Sequence, residues 1–245
     1  VNSVNIAVIF AGGVGSRMHS KDKPKQFLEM YNKPIIVHTL EYFEKHKEID
    51  SIVVVCVADW IEYLKKLLYK FRIDKVKKIV AGGATGQLSI YNGLIAAKEL
   101  AREEKTIVLI HDGVRPLISE QLITKNIQAV KTYGNSITSG IVKETIIEID
   151  DNNDIKLVPD RAHSRVAKAP QCFYLDDILK AHNKALEEGK TSFIDSCTMM
   201  QYYGAKMHIT DGPYENIKIT TPDDFYTMRA ILEAKENAQI YGIDG

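Results

Sequence analysis

The sequence predicts an α/β fold: a mainly parallel sheet flanked by helices. Two observations carry that expectation. Short continuous apolar runs rich in valine and isoleucine suit strands buried on both faces. Amphipathic segments of helical period separate them, as crossover connections require. The 245 residues, 45% hydrophobic and 26% charged, are enough for one large domain. No repeat, low-complexity stretch or linker divides them, so residues 1–245 read as a single domain.

The first apolar run is Ile6-Ala7-Val8-Ile9-Phe10 and the second is Ser51 to Val57. Lys78-Ile79-Val80-Ala81 is a weaker third, and Thr106 to His111 is the fourth. Between them, Ile36, Leu40 and Phe43 recur at helical spacing, as do Trp60, Leu64, Leu67, Leu68 and Phe71. Ile90, Leu94, Ala97 and Leu100 form the next stripe, and Leu122, Ile123, Ile127 and Val130 the last of this kind. The pattern changes after about Ile141. Residues 144–149 alternate, 150–154 are turn-rich and 155–158 follow as a second short run, so 141–163 predicts a projecting β-hairpin arm. Helices are expected from Tyr174 to Glu188, stopping at Gly189, and from Ser192 to Tyr203, stopping at Gly204. Lys206–Ile209 and Asn216–Ile219 read as late strands, and Thr221-Pro222-Asp223-Asp224 opens a final helix with a cap, a first-turn proline and two acids.

Composition excludes several classes. Lys plus Arg and Asp plus Glu both total 32, a balance that argues against a dedicated nucleic-acid binder. No apolar run reaches the roughly 18 residues of a membrane-spanning helix. The N-terminal residues lack the basic start and apolar stretch of a signal peptide. Cys56, Cys172 and Cys197 are far apart, form no metal or disulfide pattern and read as small core residues, which suits a reducing, cytoplasmic setting.

Chemistry concentrates at the expected strand ends, where parallel sheets bind ligands. After the first strand comes Ala11-Gly12-Gly13-Val14-Gly15-Ser16-Arg17, whose glycines allow backbone N–H groups to approach an anion closely. It is neither a dinucleotide fingerprint, because Met18 stands where glycine is required, nor a P-loop, because no Gly-Lys-Ser/Thr follows at the required spacing. Lys23-Pro24-Lys25-Gln26 adds cations nearby. The fourth strand ends in His111-Asp112-Gly113-Val114-Arg115, which places a carboxylate well for Mg²⁺ beside a phosphate loop. The plainer alternative is a turn cap with Arg115 as its ion-pair partner. The third strand ends in Gly82-Gly83, with Ser89 beyond as either a ligand contact or a helix cap. Lys218 sits on an expected strand and reads as either solvated or functional. Arg161, after the hairpin, either decorates an exposed turn or meets an anionic substrate.

Together these motifs resemble the cytidylyltransferases that couple CTP to sugar-alcohol phosphates. The resemblance spans about Ile6 to Ile231, through Ala-Gly-Gly-x-Gly-x-Arg-Met at 11–18, Pro-Lys-Gln at 24–26, His-Asp-x-x-Arg-Pro at 111–116, Pro-Gln at 170–171 and Asn-Ile-Lys-Ile-Thr at 216–220. Two subfamilies look similar, one acting on D-ribitol 5-phosphate and one on 2-C-methyl-D-erythritol 4-phosphate. Ile9-Phe10-Ala11-Gly12-Gly13, Pro159-x-Arg161-Ala162-His163 and Lys33 to Thr39 look more like the ribitol side. Gly86 and Ala169 depart from the family's usual Arg and Thr.

The resemblance implies a Rossmann-like nucleotidyltransferase fold and a set of roles. Ala11, Gly12, Gly13 and Gly15 would cradle the triphosphate, and Arg17, Lys25 and Lys218 would neutralise the reacting phosphates. Asp112 would hold Mg²⁺, the expected cofactor, while Gly82 and Ser89 would lie against cytosine. Arg115, Thr145, Arg161 and Asp195 would serve the acceptor. The implied partners are CTP, an alditol phosphate and a second copy of the chain embraced by the arm, with no nucleic acid and no membrane.

Overall fold

The computed structural model describes residues 3–11, 23–102 and 105–241. The chain starts in strand β1 (Val4–Ala11), then a 3₁₀ turn (Lys25–Phe27) and a small ribbon of β2 (Glu29–Met30) and β3 (Lys33–Pro34). Helix α1 (Ile35–Lys45), β4 (Ser51–Cys56), α2 (Ile61–Phe71), β5 (Val76–Ala81), α3 (Gly86–Leu100) and β6 (Thr106–Asp112) alternate next. Helix α4 (Glu120–Tyr133) leads to β7 (Asn135–Ile141), the arm strands β8 (Glu148–Ile149) and β9 (Ile155–Leu157), and the long β10 (Arg165–Tyr174). Helices α5 (Leu175–Glu187) and α6 (Ser196–Tyr202), β11 (Ile209–Asp211) and α7 (Pro222–Tyr241) complete the order.

Seven strands form the main sheet in the order β11-β7-β10-β6-β1-β4-β5. β6, β1, β4 and β5 run parallel, and β11 is parallel to β7. Only β10, among the described strands of this sheet, is antiparallel to its neighbours. The alternation of each buried strand divides the core in two. Ala7, Ile9, Ile52 and Val54 face α1, α2 and α4, whereas Ile6, Val8, Val53 and Val55 face α3, α5 and α6. α3 comes close to the sheet because Gly93 carries no side chain: a Cβ there would lie 2.6 Å from Val8 and 2.7 Å from Val55. Gly189 and Gly204 have positive φ, as expected of residues that end helices. Cys56 and Cys172 are buried core residues, and burial pushes the Cys56 thiol up to about 11. No helix among the described residues is long and apolar enough to cross a membrane.

The sheet departs from expectation in its second half. β7 and β10 lack the apolar runs of the first four strands. β7 buries Ser136 and Thr138, and their hydroxyls are satisfied by Asn126 and Thr210. Residues 216–219 are not a strand. They form an extended segment tethered by a hydrogen bond from Ile219 N to the Val114 carbonyl at 2.9 Å. α6 begins at Ser196 rather than Ser192, because Asp195 caps it by accepting from Thr198 N at 2.7 Å. The hairpin arm is present, and its Ile146, Ile147, Ile149, Ile155, Leu157 and Val158 are exposed.

Candidate active site

The carboxyl edge of β1 and β6 organises the site. Phe10 pairs with Asp112, and Gly113 N donates to the Phe10 carbonyl at 3.0 Å, so the chain turns tightly there. A Cβ on Gly113 would lie 3.2 Å from that of Ala11. The turn leaves Asp112 buried with two cations. Arg115 Nε donates to Oδ2 at 2.8 Å, and Lys218 Nζ lies 2.8 Å from Oδ1. Burial works against the carboxylate charge, but Arg115 and Lys218 outweigh it and hold the carboxyl below its ordinary range. Asp112 is therefore ionised at neutral pH.

Lys218 reaches Asp112 because its neighbours are anchored elsewhere. Ile219 is fully buried and Ile217 partly so, both against Val114, Leu117 and Met228. In an extended segment the residue between them points to the opposite side. Asn216 fixes the same segment: its carbonyl accepts from Arg115 Nη1 at 3.0 Å, and its Nδ2 donates to the Ala169 carbonyl at 2.7 Å. Beyond Lys218, Asp224 accepts from the backbone N–H and hydroxyl of both Thr220 and Thr221, which secures the start of α7. Beneath the cluster, His111 Nε2 lies 3.2 Å from the Arg115 carbonyl, and burial pushes its pKa down to about 4. His111 is a neutral support for the turn.

Asp112, Arg115 and Lys218 line a cavity of about 240 Å³, together with Lys168, Asp195 and Ser196. Gln171 holds Asp195 from β10, Nε2 donating to Oδ2 at 3.2 Å. Gly86 and Ala169, the two family departures, also line this cavity, and a Cβ on Gly86 would meet nothing within 4 Å. One concavity thus presents cations and carboxylates to a polar ligand.

The expected site residues fall into five groups. Asp112, Arg115, Lys218 and Asp195 come together around the cavity. Lys25 lies on the 3₁₀ turn that follows, where Gln26 Nε2 donates to the Ala11 carbonyl at 2.6 Å and binds that turn to the end of β1. Thr145 and Arg161 are exposed on or beside the arm, with Arg161 Nη1 donating to the Lys143 carbonyl. Gly12, Gly13, Gly15 and Arg17 lie outside the described residues.

Gly82 and Ser89 sit at the end of β5 and the start of α3. Gly82 N donates to the Cys56 carbonyl at 3.0 Å. Thr85, not Ser89, caps α3 by accepting from Leu88 N. Ser89 Oγ instead accepts from Gly83 N at 3.0 Å and lies 2.9 Å from the Thr85 carbonyl, so it shapes the glycine turn. Gly83 is required in that turn, since a Cβ would lie 2.6 Å from Leu88 Cβ. Sequence reasoning missed Lys168 and Ser196. A lysine between two alanines carries no local signal, and the only pointer to Lys168 is its place just before Pro170-Gln171.

The Mg²⁺ expectation rests on Asp112. Among the described residues no group of three acidic, histidine or cysteine side chains gathers to hold a metal. A cation that takes most of its ligands from substrate phosphates and water needs only one or two carboxylates, so Asp112 fits that role. Lys218, its ammonium partly exposed, has the reach of a flexible stem to move onto a phosphate.

Comparison with known proteins gives a consistent picture. The family model described as IspD: 2-C-methyl-D-erythritol 4-phosphate cytidylyltransferase matches residues 5–234. The chain is 55% identical over 240 residues to a ribitol-5-phosphate cytidylyltransferase of Streptococcus agalactiae, covering 98% of this chain and 100% of that one. It is 39% identical over 232 residues to a 2-C-methyl-D-erythritol 4-phosphate cytidylyltransferase of Clostridium acetobutylicum, covering 94% and 98%. Among solved structures, a 4-diphosphocytidyl-2C-methyl-D-erythritol synthase from Anaerococcus prevotii superposes with a TM-score of 0.81 at 30% identity, covering 95% of this chain and 97% of that one.

Proposed function

The chain belongs to the IspD family of cytidylyltransferases, and from that premise we propose that it couples CTP to D-ribitol 5-phosphate, giving CDP-ribitol and pyrophosphate. The observation that carries the choice of acceptor is the gap in identity, 55% to a ribitol-5-phosphate enzyme against 39% to a methylerythritol-phosphate enzyme.

The chemistry fits the cluster at Asp112. An oxygen of the acceptor phosphate attacks the α-phosphorus of CTP, a new P–O bond forms, and the bond to the β-phosphate oxygen breaks in line. A phosphate monoester has a second pKa near 6, so the nucleophile is already anionic at pH 7 and no general base is required. The difficulty is bringing two polyanions together. Positioned cations therefore supply most of the catalysis. In this reading Lys218 neutralises the α-phosphoryl group, while Lys25 and Arg17 meet the triphosphate and the departing pyrophosphate. Arg115 keeps Asp112 ionised and its turn in place. Asp112 would hold Mg²⁺, which supplies charge neutralisation to the phosphates when bound.

The arm supports a homodimer. Its apolar side chains are exposed in the single chain, as expected of a surface that a second copy covers. Arg161 and Thr145 would then serve the acceptor site across that interface.

Incubation with CTP, Mg²⁺ and D-ribitol 5-phosphate should release pyrophosphate only when both substrates are present, and mass spectrometry should identify CDP-ribitol. Absence of that product under saturating conditions would overturn the reading.

A further inference from the structure

We propose that Lys168 binds the phosphate group of the acceptor in the cavity that Lys218 also lines. The proposal rests on the cytidylyltransferase reading and adds a residue to it.

The fold aims this side chain. The ladder between β10 and β7 loses register between Ala167 and Gln171, so residues 168–170 leave the regular pairing. On the neighbouring strand, Val166 is paired with Gly140. The lysine stem passes over that glycine, and a Cβ on Gly140 would lie 2.9 Å from Lys168 Cε. The Tyr214 ring lies 5.8 Å from Nζ, and Lys143 Nζ lies 3.8 Å from the centre of the same ring. Lys168 thus occupies a trough that opens on the cavity.

Its electrostatics point to an anion. Lys168 is half-buried and, among the described residues, no carboxylate lies within ion-pair distance of Nζ. Burial, Arg115 and Lys143 all disfavour its charge, and Glu215 opposes them only in part, so its pKa falls below the ordinary lysine value. A dianionic phosphate bound by Lys168 together with Arg115 and Lys218 offsets these repulsions. The lining also carries Asp195 and the buried Ser196 hydroxyl, which has no hydrogen-bond partner among the described residues, and both suit the hydroxyl groups of an alditol. The cavity therefore offers groups for both parts of the acceptor, cations for its phosphate and polar oxygens for its polyol.

The test compares wild type, Lys168→Met, Lys168→Arg and Gly140→Ala in steady-state pyrophosphate release. Each substrate is varied against saturating levels of the other. Lys168→Met should raise the acceptor KM roughly tenfold to a hundredfold, the scale of one charge-assisted hydrogen bond. The CTP KM should stay within about twofold. Lys168→Arg should restore most of the acceptor affinity. Gly140→Ala, which displaces the stem without changing charge, should raise the acceptor KM in the same direction. An acceptor KM unchanged in Lys168→Met, or a shift that falls on CTP instead, would overturn the proposal. Melting temperatures confirm that each variant is folded. The acceptor used is whichever alditol phosphate the wild type turns over best. A wild type that prefers 2-C-methyl-D-erythritol 4-phosphate contradicts the ribitol reading while leaving the Lys168 result interpretable. Calorimetric titration of wild type and Lys168→Met with D-ribitol 5-phosphate reads the same contact without turnover.

Discussion

Asp112 shares one buried carboxylate between two cations, and the two partners differ in what they risk. Arg115 is nearly as buried as Asp112, whereas Lys218 is 40% exposed along its side chain. Removing Arg115 leaves Oδ2 of the buried carboxylate without its partner and breaks the tether to Asn216. Arg115→Met should destabilise the protein by about 3–5 kcal/mol, read by urea unfolding. Lys218→Met should cost little stability and yet lower kcat at least about a hundredfold, the scale of one lost stabiliser of developing charge. Near-normal turnover in Lys218→Met would remove Lys218 from the mechanism. His182 offers a separate test. It is buried, neither ring nitrogen has a hydrogen-bond partner among the described residues, and burial pushes its pKa down to about 4 from an ordinary 6.5. As pH falls through that interval the unfolded chain takes up a proton that the folded one refuses. Stability should decline by up to about 1.4 kcal/mol per pH unit from this residue alone. His182→Phe should flatten that slope in urea titrations between pH 6.5 and 4, and an unchanged slope would assign the effect elsewhere. Asp112 and Lys218 were legible in the sequence because each belongs to a motif with its own spacing. Lys168 was not, because a lone lysine in a strand looks like a solvated one until Gly140 and Tyr214 are seen around it.

The elements nearest the site owe their places to small residues and to satisfied polar groups. α3 lies on β1 and β4 through Gly93, whose added methyl would collide with the branched Val8 and Val55 in the packed interior. Gly93→Ala should therefore destabilise by about 1–3 kcal/mol, the ordinary cost of overpacking. A thermal melt within a degree of wild type would show that the helix can shift at no expense. β1, β4 and β6 were legible because a buried parallel strand must be apolar on both faces, and the partly exposed edge strand β5 was correspondingly the weakest run. β7 was not, since Asn135, Ser136, Thr138 and Ser139 are polar in sequence and buried in fact. Their burial depends on partners far away in the chain: Asn126, Lys206, Thr210 and Asp211. The segment around Lys218 alternates like a strand but pairs with no strand among the described residues. Its alternation serves two environments, the apolar group of Val114, Leu117 and Met228 on one side and Asp112 on the other.

The whole molecule joins the candidate site at the carboxyl edge of β1 and β6 to an arm whose apolar side chains the single chain leaves exposed. If the arm embraces a second copy, sedimentation should give a dimer. Leu157→Asp, which places a charge on an exposed apolar strand of the arm, should shift that dimer toward monomer and weaken acceptor turnover. Arg161→Ala should raise the acceptor KM and leave the dimer intact, and unchanged acceptor kinetics would remove Arg161 from the site. The most direct test of the central claim is the ratio of kcat/KM for D-ribitol 5-phosphate and 2-C-methyl-D-erythritol 4-phosphate, measured on wild type with CTP and Mg²⁺ saturating. A ratio of at least about a hundred in favour of the ribitol compound is predicted, the discrimination available when buried polar groups match a substrate's hydroxyls. Equal rates, or a preference for the methylerythritol compound, would contradict it.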